Sequence, residues 1–184
     1  MLVMRSTLAL TLSLSLTLTV PALAQGQAAD GRSTPDSTWL RWNPTTRTTS
    51  FKLIAGIPGH AKSPFNFNGY TDGEFTLVVP ENSTVVLNFV NEDGTPHSAQ
   101  VIADTKPIPN MALNDAAIPR AYTKAVSEGI AQFGTDNMRF KAAPAGSYLI
   151  FCGVPGHGLS GMWIRLKVSA EATQPEMLET PTGK

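Results

Sequence analysis

The chain has 184 residues, 42% hydrophobic and 15% charged, which suits one globular domain or two small ones at most. Lys+Arg and Asp+Glu both number 14, so nothing in the charge balance points to a nucleic-acid or polybasic membrane surface. A single cysteine excludes an intrachain disulfide, a Cys-rich zinc or iron–sulfur framework, C-x-x-C-H haem attachment and any copper centre bridged by two thiolates.

Residues 1–24 read as a secretory signal peptide. Arg5 precedes an uncharged run of Leu, Thr and Ser over residues 6–20, and Ala22 and Ala24 stand at the small-residue positions of an A-x-A cleavage site. The run is short for a membrane span of about 20 residues, and no later segment is apolar enough to make one. Cleavage after Ala24 predicts a mature chain in the periplasm or outside the cell, without a membrane span. In that compartment an unpaired thiol asks for an explanation, and ligation to a metal is one. Residues 25–37 are polar and carry Pro35, a flexible lead-in.

Residues 38–170 hold the folded domain. Leu40 and Trp42 alternate with Trp39 and Arg41, and residues 48–54 are rich in β-branched and apolar types. Phe75, Leu77 and Val79 share one face of a run closed by Pro80, and Val85, Leu87 and Phe89 share one face of residues 83–91. A turn at 91–94 leads to a strand over 97–103. Residues 138–142, a Pro144-Ala145-Gly146 turn and residues 147–152 read as a hairpin, and residues 162–169 close the set. Short strands at this spacing predict a β-sandwich or barrel. Residues 114–133 are Ala-rich and predict one or two helical turns in an otherwise irregular insertion. Residues 171–184, with Pro175 and Pro181, read as a loose polar tail.

The chemistry concentrates in Phe151-Cys152-Gly153-Val154-Pro155-Gly156-His157-Gly158-Leu159-Ser160-Gly161-Met162, a C-x4-H-x4-M spacing between two predicted strands. With 3 His and 6 Met in the chain, that spacing after the one Cys arises by chance about 5 times in 10,000. A Gly- and Pro-rich loop folds tightly enough to bring thiolate, imidazole and thioether to one point. These are the ligands of a blue-copper site, which needs one further imidazole, and His97 can supply it. Cys152 would be the strong donor, His97 and His157 would complete a trigonal plane, and Met162 would be a weak axial ligand. Backbone N–H groups near Ser98 and after Cys152 are candidate donors to the sulfur.

At these residues the chain resembles the cupredoxins, and within them the sulfocyanin and rusticyanin group of small blue copper proteins. Residues 151–162 and the Thr-Pro-His-Ser ending at Ser98 carry the resemblance, which spans roughly residues 67–168. It implies a Greek-key β-sandwich, all-β, with one short irregular or helical insertion. It also implies one type 1 copper on His97, Cys152, His157 and Met162, and one-electron transfer without enzymatic turnover. The partners implied are redox proteins such as cytochromes or a terminal oxidase, met by a monomer. Ser98 matches the polar residue that braces the ligand loops, and a Ser there is similar to the high-potential members.

Other readings stand beside this one. Cys152 could be an inert buried thiol or a nucleophile with a histidine base, although no Asp or Asn stands at a suggestive place to orient that base. Storage or delivery of copper without redox cycling uses the same ligands. His60 reads as a surface loop residue, Met111 and Met138 as packing residues, and Phe151 and Trp163 as walls that keep water from the site. Asn82-Ser83-Thr84 matches a glycosylation pattern short enough to recur by chance.

Overall fold

Alternation of apolar and polar residues sends every second side chain of a strand to the same face, and in this chain that pattern builds two facing sheets. The computed structural model describes residues 35–57 and 63–180; residues 1–34, on which the signal-peptide reading falls, residues 58–62 with His60, and residues 181–184 lie outside them. A short 3-10 turn, Ser37–Trp39, is capped by the Asp36 carboxylate, which accepts from the Thr38 N–H at 2.8 Å. The strands follow as β1 Leu40–Asn43, β2 Thr48–Ala55, β3 Phe75–Pro80, β4 Thr84–Asn91, β5 Gln100–Ala103, β6 Thr135–Lys141, β7 Gly146–Phe151, β8 Trp163–Ser169 and β9 Glu176–Glu179.

One sheet has the order β1-β2-β4-β6 and the other β5-β7-β8-β3-β9. The β2–β4 and β3–β8 pairs are parallel and the rest antiparallel. Phe51, Leu53, Val85, Leu87, Phe89, Met138 and Phe140 line the first sheet's inner face. They meet Leu77, Val79, Ile150, Ile164, Leu166 and Val168 of the second in one buried cluster. Each such side chain contributes about 1.5–3 kcal/mol by leaving water. The all-β sandwich read from the sequence is therefore present.

Four local expectations change. The predicted hairpin at 138–152 is a crossover. β6 pairs with β4 and β7 with β5 and β8, so the turn at 144–146 passes from one sheet to the other. Both strands carry a buried row, and facing the rows across the sandwich buries more surface than setting them side by side. The predicted helical turns at 114–133 are absent. Their backbone groups reach outward to the free edge of β5 instead. Val101 N–H donates to Ala121 O at 2.8 Å, Ala117 N–H to Val101 O at 2.9 Å and Thr123 N–H to Ala99 O at 2.9 Å. The strand expected from His97 starts at Gln100, because His97 pairs with Ile130 of the insertion rather than with β7. Within the tail, residues 176–179 form β9 on the edge of β3. Tyr70 Oη donates to Glu179 at 2.8 Å, and Thr180 N–H donates to Glu74 O at 2.7 Å.

Candidate metal centre

Three inner rows end at one place. Cys152 continues the row of Ile150, Met162 precedes that of Ile164 and Leu166, and His97 precedes that of Ala99 and Val101. The register Phe151↔Trp163 sets Cys152 opposite Met162, and the Cys152 N–H donates to Met162 O at 3.0 Å. The loop between β7 and β8 turns back on itself. The Met162 and Ser160 N–H groups both donate to His157 O at 3.1 Å, and the His157 N–H donates to Val154 O at 3.1 Å. Gly161 makes the last corner at φ +94°, where a Cβ would fall 2.8 Å from Asp72 Oδ2.

The side chains converge. His97 Nδ1 lies 3.1 Å from His157 Nδ1, and Cys152 Sγ lies 3.5 Å from His157 Nδ1 and 4.0 Å from His97 Nδ1. His97, Cys152 and Met162 are fully buried, and His157 is 8% exposed. Phe65 packs on both imidazoles, with its ring centroid 4.6 Å from that of His157 and 6.3 Å from that of His97. Ser98 braces the sulfur. Its N–H donates to Sγ at 3.4 Å, and its hydroxyl donates to Val126 O at 2.6 Å and accepts from the Gly153 N–H at 3.0 Å. The far nitrogen of His97, Nε2, faces Asp93 Oδ2 at 3.1 Å.

Burial raises the Cys152 thiol above its ordinary pKa, and the N–H groups of Ser98 and Val154 offset part of that. A thiolate here therefore needs a nearby positive charge, which a bound cation would supply. Burial likewise lowers both histidines. The His97 ring is pulled partly back by Asp93, whereas His157, with His97 beside it, falls to about 4. Both imidazoles are thus neutral donors at neutral pH.

The donor triangle fits a first-row metal ion. Bonds of about 2.0–2.1 Å to imidazole nitrogen and about 2.3 Å to thiolate imply donor–donor edges of about 3.3–3.8 Å. The observed edges of 3.1, 3.5 and 4.0 Å lie within about 0.2 Å of that range. Two imidazoles and a thiolate select copper, zinc or iron over the hard cations. A nucleophile reading fails because no substrate reaches a sulfur that is fully buried.

Some readings need correction. Phe151 and Trp163 do not line the triangle; they lie on the outer face of the second sheet with Ile102, Leu149 and Ile108. Phe65 is the aromatic that walls the imidazoles, and nothing local in the sequence marks it. Met111 is half exposed rather than packed, whereas Met138 is buried as read. Asp93 supplies the orienting carboxylate that the sequence reading had found missing. It stands four residues before His97 in the 91–94 turn, and that spacing was the available signal.

A family model described as the sulfocyanin (SoxE) domain matches residues 35–179. The chain is similar to the sulfocyanin of Sulfolobus acidocaldarius, 27% identical over 141 residues that cover 71% of this chain and 69% of that protein. It is also similar to the copper protein rusticyanin, at TM-score 0.50 and 25% identity, covering 67% of this chain and 83% of that one. A further structure of rusticyanin, from Thiobacillus ferrooxidans, gives TM-score 0.50 and 25% identity over 67% and 82% of the two chains.

Proposed function

Because the chain belongs to the sulfocyanin family, we propose that it is a type 1 copper protein that carries single electrons, with His97, Cys152, His157 and Met162 as the ligands of one copper ion. The observation that carries this reading is the buried triangle of two Nδ1 atoms and one Sγ, whose longest edge is 4.0 Å. Copper in that triangle supplies a Cu(I)/Cu(II) couple. The chain's part is to hold the donors so that they move little between the two states. Cys152 and Met162 are locked to each other across β7 and β8, and His97 is locked to Ile130. Met162, fully buried beside the loop, would be the fourth and weakest of the donors that hold the copper.

His157 is the one ligand with an exposed edge, which makes it the port through which the electron enters and leaves. Pro155, Gly156, Gly158 and Leu159 around it are small or apolar, suited to brief contact with another redox protein such as a cytochrome or a terminal oxidase. Residues 1–24 act as a cleaved signal in this reading, and the carrier works as a monomer in the periplasm or outside the cell. Residues 38–170 form its copper-binding domain, preceded by the 25–37 lead-in and completed at one sheet edge by β9 from the 171–184 tail. The protein is a carrier, not an enzyme.

The test is a visible absorption spectrum of Cu(II)-loaded protein, then ascorbate, then reoxidation. An intense blue band that bleaches and returns is expected, and Cys152→Ser should abolish it while the circular dichroism stays that of the folded chain. A folded, copper-bound but pale protein would sink the carrier reading in favour of copper storage or delivery.

A further inference from the structure

Asp93 sits behind His97, on the side away from the donor triangle, and several contacts fix it there. Its Oδ2 lies 3.1 Å from His97 Nε2 and also accepts from the Thr95 N–H at 3.3 Å. The Asp93 N–H donates to Asn91 Oδ1 at 2.9 Å. Asn91 is fully buried, and its amide nitrogen donates at 2.8 Å to each of the Thr95 and Ile130 carbonyls. Ile130 in turn accepts from the His97 N–H at 3.1 Å and donates to His97 O at 2.7 Å. Gly56 closes the remaining side at φ +65°, where a Cβ would lie 2.3 Å from Asp93 Cβ and 3.2 Å from His97 Nε2. One buried amide thus ties together the turn, the insertion and the histidine.

The chemistry of the contact is directional. An ionised carboxylate only accepts hydrogen bonds, so the proton of a neutral His97 belongs on Nε2 and the lone pair on Nδ1. Two Nδ1 lone pairs 3.1 Å apart repel unless a proton or a cation lies between them. With His97 Nδ1 unprotonated, the metal-free protein must place that proton on His157 Nδ1. The carboxylate also stands one imidazole away from the metal position, where its negative charge favours the more positive of two metal oxidation states.

We infer that Asp93 is a positioning residue: it fixes the Nε2–H tautomer of His97, thereby sets the complementary tautomer of His157, and biases a copper ion in the triangle toward Cu(II). The bias rests on the copper reading above; the tautomer assignment does not. Among the described residues no other carboxylate lies within hydrogen-bond distance of either imidazole. Partners of this kind are typically worth about 10–100-fold in metal affinity.

The experiment compares wild type, Asp93→Asn and Asp93→Ala, each shown to be folded by circular dichroism. It reads 15N imidazole shifts of the metal-free protein, Cu(I) affinity against a chromophoric chelator, and reduction potential. Wild type should show His97 protonated at Nε2 and His157 at Nδ1. In Asp93→Asn the amide oxygen still accepts, so the tautomers should persist while loss of the charge moves the potential upward. Asp93→Ala should mix the tautomers and weaken Cu(I) binding by about 10–100-fold. Wild-type His97 protonated at Nδ1, or unchanged 15N shifts in Asp93→Ala, would overturn the positioning role. An unchanged potential in Asp93→Asn would overturn the charge bias, and if the alanine variant does not fold, the wild-type 15N shifts decide the tautomer half and Asp93→Asn the charge half. Wild type with the assigned tautomers and no copper binding would reject the copper reading and uphold the tautomer assignment.

Discussion

His97 and His157 bring the same atom to the same point, yet the molecule holds them in opposite ways. His97 is fully buried; its backbone bonds Ile130 in both directions and its ring is backed by Asp93. His157 rides on the loop between β7 and β8 at 8% exposure, packed on Phe65. Among the described residues its ring nitrogens meet only Cys152 and His97. The difference teaches a division of labour. In the copper reading the buried histidine would define where the metal sits, and the exposed one would couple that position to a docking redox partner.

Glycine replacements would test this contrast most severely, because each should abolish the blue band. In His157→Gly the gap opens toward solvent, so added imidazole should enter and restore the absorbance. In His97→Gly the gap is closed over by Gly56, Asp93 and the insertion, and added imidazole should restore nothing. Equal recovery in both variants would break the comparison.

Acid should separate the two next. The His157 pKa of about 4 lies below the ordinary 6.5, so between these values the unfolded chain binds the extra proton. Stability of the metal-free protein is then fully present above about pH 6.5, falls as the pH drops toward 4 and is level below that as far as His157 is concerned. At about 1.4 kcal/mol per pH unit the loss is on the order of 3 kcal/mol. Denaturant titrations across this range should show a shallower slope in His157→Gln than in wild type. A parallel slope would assign the acid loss elsewhere.

The mildest change is Met162→Leu, which leaves both histidines in place. A Met-to-Leu swap in a core costs less than about 1.5 kcal/mol. The blue band should remain and the potential should rise, since losing a weak axial donor disfavours Cu(II). Loss of colour in a folded Met162→Leu protein, seen by absorption and circular dichroism together, would contradict the axial role.

Much of this site is legible in residues 151–162, because spacing within one short loop is a local property. Cys152, His157 and Met162 declare themselves by type and interval, and Ser98 by its place after His97. The strands are legible for the same reason: alternation such as that of Val85, Leu87 and Phe89 reports burial one residue at a time. Asp93 was half legible, in sequence range of His97 but read only as a turn residue. Phe65 was not legible at all, since it reaches the imidazoles from a segment 32 residues before His97.

By itself, then, the sequence determined the all-β character, most of the strands and the candidate donors, each encoded within a dozen residues. Only the tertiary structure decided that β6 and β7 lie in different sheets, that residues 114–133 cover the edge of β5 instead of coiling, and that β9 pairs with β3. Each of those outcomes depends on which distant backbone groups and apolar faces were left to be satisfied, and a turn such as Pro144-Ala145-Gly146 permits either path. The same holds for the chemistry. That Nδ1 rather than Nε2 of His97 faces the triangle follows from a carboxylate, a buried amide and a glycine brought together from three separate segments.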